Sequence, residues 1–403
     1  MQKQKLRFQI IAVFAFLVLA FNTYGLNLSI ESQQDIFEPY SVNDGTKLPH
    51  APTIAQTTVG VIVAAWWAGA GERQAGTDIW MSRYINGKWT TPYRVFDGQE
   101  VGNNYTCENV MLFQPKNGPL MLFTLVGPAA YKKPGDNTTY YYNLRSYLKK
   151  SYNNGQTWST PVALGKDPGL VGGNLIGPTK NSPIQLANGT ILIPSSNEYG
   201  LLESREWHRF TFHFEKSTDG GNTWSLGYVC PMPANTEMLP IQPGFLRLGG
   251  GNLRVLGRNQ GNVRNGTSTS TSSNNGQTWS GITLMILLKH HKTAICPLTL
   301  SDGTHICIVN RYPNTTERGT LDLMTSTNST DWSFGININP ESDGYEAHYP
   351  QAVQTSDGKL HVVYTYDIKN EGTTGSIRHA IIRTGINPGP TPPPPTPSGA
   401  ESW

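Results

Sequence analysis

The sequence predicts an all-β fold, a six-bladed β-propeller, on three observations: an eight-residue turn motif that recurs along the chain, short alternating strands around each copy, and a composition rich in turn formers and aromatic residues. The clearest copy is Ser217-Thr218-Asp219-Gly220-Gly221-Asn222-Thr223-Trp224. It recurs from Ser151 to Trp158 and from Ser272 to Trp279, with Asn153 and Asn274 replacing the aspartate. Degenerate copies run from Ser82 to Trp89 and, one residue short, from Ser326 to Trp332. In this unit an Asp or Asn side chain folds back on nearby backbone N–H groups, Gly supplies positive φ, and Trp packs the turn onto the sheet. The motif is a hairpin clasp and not a catalytic group.

Alternating segments flank the clasps at Val59 to Trp66, Thr190 to Pro194, Leu253 to Gly257, His305 to Asn310 and Lys359 to Tyr366, so each unit reads as a four-stranded blade. Five clasps and a closing segment from Tyr345 to Arg383, which has strands but no clasp, make six blades. The strand region after Leu48 is expected to join the last blade and seal the ring, because an unpaired edge would otherwise stay open. The chain has 42 Gly, 28 Pro, 18 Tyr and 10 Trp, which agrees with many short strands and tight turns. At 403 residues it exceeds the usual domain size of about 100–200 residues, but propellers are an exception, and residues 45–385 are read as one unit.

Lys3, Lys5 and Arg7 precede an apolar run from Ile10 to Phe21, and Gly25 follows at a plausible cleavage point. This is a signal-peptide pattern over residues 1–25; the run is shorter than the ~20 residues of a membrane-spanning helix. The expected location is extracellular, with no membrane span after cleavage. Asn-x-Ser/Thr acceptors at Asn27, Asn104, Asn137, Asn188, Asn265, Asn314 and Asn328 agree with export. Residues 26–44 read as a lead-in, and 386–403, with the run Pro388 to Pro397, as a stiff or disordered tail. A net charge of +3 and the lack of a basic block interleaved with aromatics speak against nucleic acid as a partner. Cys107, Cys230, Cys296 and Cys307 are too few for a disulfide scaffold and form no Cys-x-x-Cys knuckle; Cys296 with Cys307 is the candidate pair. A monomer is expected.

The octapeptide is the Asp-box, and the chain from about His50 to Arg383 resembles the sialidase superfamily, especially its BNR-repeat, sialidase-like branch. The resemblance implies a glycan or glycoconjugate substrate whose terminal acidic sugar is gripped through its carboxylate by three arginines, since guanidinium forks pair bidentately with carboxylates. Arg258 and Arg318 stand where the family places its second and third. Tyr349, in Glu346-Ala347-His348-Tyr349-Pro350 with Asp357-Gly358 after it, matches the nucleophile. A neutral phenol suits that role because a carboxylate would be repelled by the substrate's own. The loop Ala68 to Ile79 resembles the one carrying a further substrate-facing Arg and the acid/base Asp, here Arg73 and Asp78. Asp78 equally matches the acidic residue opening the next strand, in which case the general acid is missing from its usual place.

Two positions depart from the family. His50, in Pro49-His50-Ala51-Pro52, stands where the first arginine belongs, and Gln242, in Pro240-Ile241-Gln242-Pro243, replaces the glutamate that activates the tyrosine. Glu237 and Glu346 are the candidates to take over that base function. The adopted reading is an exo-α-sialidase-like glycoside hydrolase that needs no metal or organic cofactor. A second reading is a glycosidase or eliminating enzyme for a uronic acid, with His50 as acid/base and with Lys180-Asn181 and Ser195-Ser196-Asn197-Glu198 lining the pocket. A third is a glycan-binding propeller without catalysis. All functional roles require that Arg258, Arg318 and Tyr349, distant in sequence, share one cavity.

Overall fold

The clasps fold as their residue types require. In the computed structural model, which describes residues 26–386 except 39–46, 130, 133–138, 141–143, 169, 171–172, 198–209, 235, 262–265, 312–317, 341–343 and 369–374, Asp219 Oδ1 accepts from the N–H of Asn222 (3.0 Å) and Thr223 (2.9 Å). The hydroxyl of Thr223 donates to Oδ2, and these bonds hold the Asp219 carboxyl well below the usual range. Asn153 and Asn274 accept from Thr157 and Thr278 in the same way. The fifth copy keeps the bonds with one residue fewer, through Asn328. The copy at Ser82 instead forms an Asn86-Gly87 hairpin, both residues at positive φ. Each full clasp also reaches across to the preceding blade: Trp279 stacks on Phe214 at 4.2 Å, and Trp224 meets Phe123 edge-on at 5.5 Å. Gly221 sits at φ +86°, where an L side chain is strained, and a Cβ there would lie 2.4 Å from the terminal methyl of Met121 of that neighbour, which would have to move.

Six antiparallel blades result among the described residues, five of them four-stranded and the first with a fourth position split between two short strands, each a meander running outward from its first strand. Blade 1 comprises His50–Gln56, Ile62–Gly69 and Thr77–Ile85, with Lys88–Trp89 and Tyr93–Phe96 both pairing to the third strand. Blade 2 comprises Tyr105–Phe113, Leu120–Pro128, Arg145–Ser151 and Val162–Ala163; blade 3, Ile184–Gln185, Ile191–Asn197, Thr211–Ser217 and Ser225–Val229. Blade 4 comprises Pro240–Gly249, Asn252–Asn259, Thr267–Ser272 and Thr283–Met285; blade 5, Cys296–Thr299, His305–Val309, Leu321–Ser326 and Ser333–Asn339. Blade 6 takes Tyr345–Gln354, Leu360–Ile368 and Gly375–Arg383. Its fourth strand is Ser29–Asp35, paired from Ser29 opposite Arg383 to Asp35 opposite Arg378. The lead-in therefore seals the ring, and the region after Leu48 is the inner strand of blade 1. The pattern SIESQQD hides this because an outer edge strand buries little; ion pairs of Glu31 with Lys359 and Arg383, and of Asp35 with Arg378, hold it.

Apolar side chains fill the seams between blades, as where Val63, Ala65 and Met81 of blade 1 meet Val110, Leu112 and Leu122 of blade 2. The expected Cys296–Cys307 bridge is not formed; all four cysteines are free and buried. The register explains it: Cys296 lies opposite Ile308 and Cys307 opposite Pro297, so the two thiols leave opposite faces of blade 5. The signal peptide, the proline-rich tail, Asn137, Glu198, Asn265 and Asn314 lie outside the described residues.

At the seam between blades 6 and 1, Trp89 Nε1 donates to Nδ1 of His379 (3.3 Å), whose Nε2 lies 2.9 Å from Nδ1 of His361. This chain needs both imidazoles neutral, and burial pushes His361 down to about 4 and His379 down to about 3. Both values lie below that of an unfolded histidine, ~6.5. The unfolded chain thus binds more protons at acid pH, so the seam's stability is complete above pH ~6.5 and falls toward pH 4. A first proton entering the pair at pH 4 is expected to cost on the order of 3 kcal/mol. Thermal melts from pH 7 to 4 check this: the wild-type midpoint should fall more steeply than that of His379→Gln, and parallel curves would refute it.

Candidate functional site

Four of the six inner strands break their register against the next strand. Pairing shifts between His50 and Thr53 in blade 1, Glu108 and Val110 in blade 2, Ile241 and Gly244 in blade 4, and His348 and Gln351 in blade 6. Within each bulge sits a non-glycine residue in the left-handed region: Ala51 at φ +49°, Asn109 at +34°, Gln242 at +55° and Tyr349 at +53°. Such backbone costs on the order of 1 kcal/mol or more per residue and persists where surrounding contacts enforce it. A bulge re-aims side chains that a regular strand would leave alternating.

Blade 3 supplies those contacts. Its short inner strand is preceded by a segment whose Ile176 and Gly177 N–H groups donate to the fully buried Glu215 carboxylate at 2.7 and 3.1 Å. The segment leads to Lys180 and Asn181, both buried. Lys180 Nζ donates to the carbonyl of Pro350 (3.1 Å) and Asn181 Nδ2 to that of Gln242 (3.1 Å). Gln351 Nε2 returns a bond to the Lys180 carbonyl (2.8 Å), while its Oε1 accepts from Cys296 Sγ. Burial lowers Lys180 to about 8. This network pins the backbone of the bulges in blades 4 and 6, which carry Gln242 and Tyr349.

The bulges of blades 2, 4 and 6 border a cavity of about 310 Å³. Glu72 and Arg73 approach it from the blade 1 loop, Glu108 and Asn109 from blade 2, Gln242, Arg258 and Gln260 from blade 4, and Tyr349 from blade 6, with Leu125, Leu144, Phe210 and Ile241 as apolar wall. Arg258 is 8% exposed and has no carboxylate partner among the described residues; its Nη1 donates to the Tyr349 hydroxyl at 3.3 Å. Arg258 Nε and Gln242 Oε1 are buried with no hydrogen-bond partner. Arg318 lies with its guanidinium carbon 6.0 Å from the Tyr349 ring centre and 4.0 Å from a Glu346 carboxylate oxygen. His50 packs its ring 4.4 Å from that of Tyr349 and 4.9 Å from Trp67; burial holds its imidazole well below the usual range, and so neutral.

Glu108 is the acidic group that sequence reading missed. It is buried in the blade 2 bulge, and its Oε1 accepts from the Arg73 N–H (2.6 Å) and the Thr106 hydroxyl (3.4 Å), leaving Oε2 to carry a proton. Burial, reinforced by nearby Glu72, raises its carboxyl to about 8, so it is protonated at neutral pH. The signal was present as a lone acid inside the apolar strand Y-T-C-E-N-V-M-L-F, where an unpaired charge is unfavourable.

The structure brings Tyr349, Arg258, Arg73 and Gln242 to one cavity and sets Arg318 and His50 against the tyrosine ring. It places three expected residues elsewhere. Asp78 opens its strand and is spent on structure: Oδ2 pairs with Arg94 (3.1 Å) and Oδ1 accepts from the Gly98 N–H (3.3 Å). Glu237 is exposed in the loop before blade 4 and does not line the cavity. Glu346 also lies off the lining, beside Arg318.

The sequence profile of BNR repeat-like domains matches residues 60–362. A protein of unknown function from Dyadobacter fermentans DSM 18053 shares the fold at a TM-score of 0.69 and 15% identity, over 89% of this chain and 99% of that one. The NanB sialidase from Streptococcus pneumoniae matches at 0.65 and 14% identity, over 87% of this chain and 70% of that one. The sialidase of Trypanosoma rangeli, solved with sialic acid, matches at 0.62 and 15% identity, over 87% and 58%. No curated protein sequence matches the chain.

Proposed function

The chain belongs to the BNR repeat-like domain family, and from that membership and the cavity we propose that it is a sialidase-type glycoside hydrolase releasing a terminal acidic sugar, sialic acid, from secreted or surface glycans. The observation that carries the reading is the buried Arg258, which has no acidic partner among the described residues and lines the cavity next to the Tyr349 hydroxyl. A buried cation and unpartnered polar atoms call for a ligand that completes them, and an anionic sugar does so.

In this reading Arg258 and Arg318 attract the sugar carboxylate. The Tyr349 phenol loses its proton to solvent, with Arg258 stabilising the phenolate, and its oxygen bonds to the anomeric carbon as the glycosidic C–O bond breaks. Glu108 gives the departing oxygen its proton, then takes one from the water that cleaves the tyrosyl intermediate; the phenolate released in that second step regains its proton from solvent, and both residues are restored. Gln242 cannot accept a proton, and that favours one alternative, a propeller that binds the sugar without turning it over.

Incubation of the purified protein with a fluorogenic sialoside decides between them. Release of the fluorophore, abolished in Arg258→Met, is the expected result. Binding of free sialic acid without release selects the non-catalytic propeller, and release from a uronic-acid glycoside alone changes the sugar.

A further inference from the structure

We infer that His50, His348 and Asp367 form a divalent-metal site of the zinc class beside Tyr349, although the sequence reading needs no metal. One ring nitrogen from each histidine and one carboxylate oxygen of Asp367 lie within 4.8 Å of one another. The three groups straddle the seam where the ring begins and ends: His50 opens the inner strand of blade 1, while His348 and Asp367 sit on the first two strands of blade 6. His348 Nε2 is 2.9 Å from Asp367 Oδ2, and the rings of His50 and His348 are 5.1 Å apart.

Two imidazoles and one carboxylate make a three-ligand set suited to zinc, with a fourth position left for water or substrate. Zinc bonds of ~2.0–2.1 Å require the donors to draw together by roughly 1 Å. His50 and Asp367 are partly exposed and have room to close, whereas His348 is fully buried and sets the anchor. The nitrogen of that anchor that faces Asp367 is Nε2, which now shares a hydrogen bond with the carboxylate, and its Nδ1 is buried with no hydrogen-bond partner. Arg318 and Lys180 are the nearby cations that would oppose a metal; Arg318 lies 4.0 Å from a Glu346 carboxylate oxygen, and Lys180 Nζ is bonded to the Pro350 carbonyl. The ring of His50 lies 4.4 Å from that of Tyr349, so the site abuts the phenol. The site does not depend on the glycosidase reading, because its test measures metal and not turnover.

Chelator-stripped protein titrated with Zn²⁺ by calorimetry should take up one equivalent with micromolar or tighter affinity. His50→Ala and Asp367→Asn should each weaken it by at least ~10-fold, with unchanged circular dichroism, since both side chains are partly exposed. Absence of binding, or retention of affinity in either variant, overturns the three-ligand site. If a variant does not fold, Co²⁺ replaces it as the probe on wild-type protein: an intense visible band of four-coordinate cobalt supports the site, and a pale six-coordinate spectrum overturns it.

Discussion

Tyr349→Phe is expected to lower kcat/KM on a fluorogenic sialoside by on the order of 10³-fold or more, with sugar binding retained. The substitution removes one oxygen. The ring contacts with His50 and His348, and the position above which Arg318 sits, depend on the ring and remain. What goes is the oxygen that would bond to the anomeric carbon, the same atom that accepts from Arg258. The decisive measurement separates kcat from the dissociation constant of free sialic acid. Loss confined to kcat identifies Tyr349 as the nucleophile, while unchanged turnover removes it from the mechanism and with it the sialidase reading.

Glu108→Gln carries the second large effect, a fall in kcat of ~10²–10⁴-fold, the usual contribution of a positioned proton donor. Gln keeps the shape and can still accept from the Arg73 N–H, so the bulge should stand. The pH profile is the sharper diagnostic. Burial raises Glu108 to about 8, so the donor is fully protonated below that pH and kcat/KM should decline as pH rises through about 8. The variant should lose that limb. A substrate with a very good leaving group, which needs little proton assistance, should recover most of the lost rate in the first step. If the alkaline limb persists in Glu108→Gln, the acid lies elsewhere. The same shift bears on stability: the folded carboxyl titrates at about 8 and an unfolded one at ~4.3, so Glu108 favours the folded chain fully only below pH ~4.3, and that contribution is lost as pH rises to about 8.

The two groups differ in how legible they were. Tyr349 could be located because it stands in a run, Glu346 to Val353, whose neighbours resemble a known motif. Glu108 belongs to no such run, and its chemistry comes from burial against residues of the blade 1 loop. Asp78 shows the converse: motif position alone recommends it, but its carboxylate is engaged by Arg94 and Gly98, 16 and 20 residues further on. Glu237 was proposed from proximity in sequence to Gln242, yet the bulge at Gln242 aims at the cavity while the preceding loop leaves Glu237 in solvent.

The sequence by itself determined the clasps, the number of blades and the all-β class, because each clasp is closed by hydrogen bonds among residues at most four positions apart and its side-chain types suffice to form it. Tertiary structure decided which segment closes the ring, which acid faces the cavity, that Cys296 and Cys307 stay apart, and that His50 meets His348 and Asp367. Those outcomes depend on strand register, left-handed bulges and the water removed around each group, and these arise only when residues some 300 positions apart are packed together.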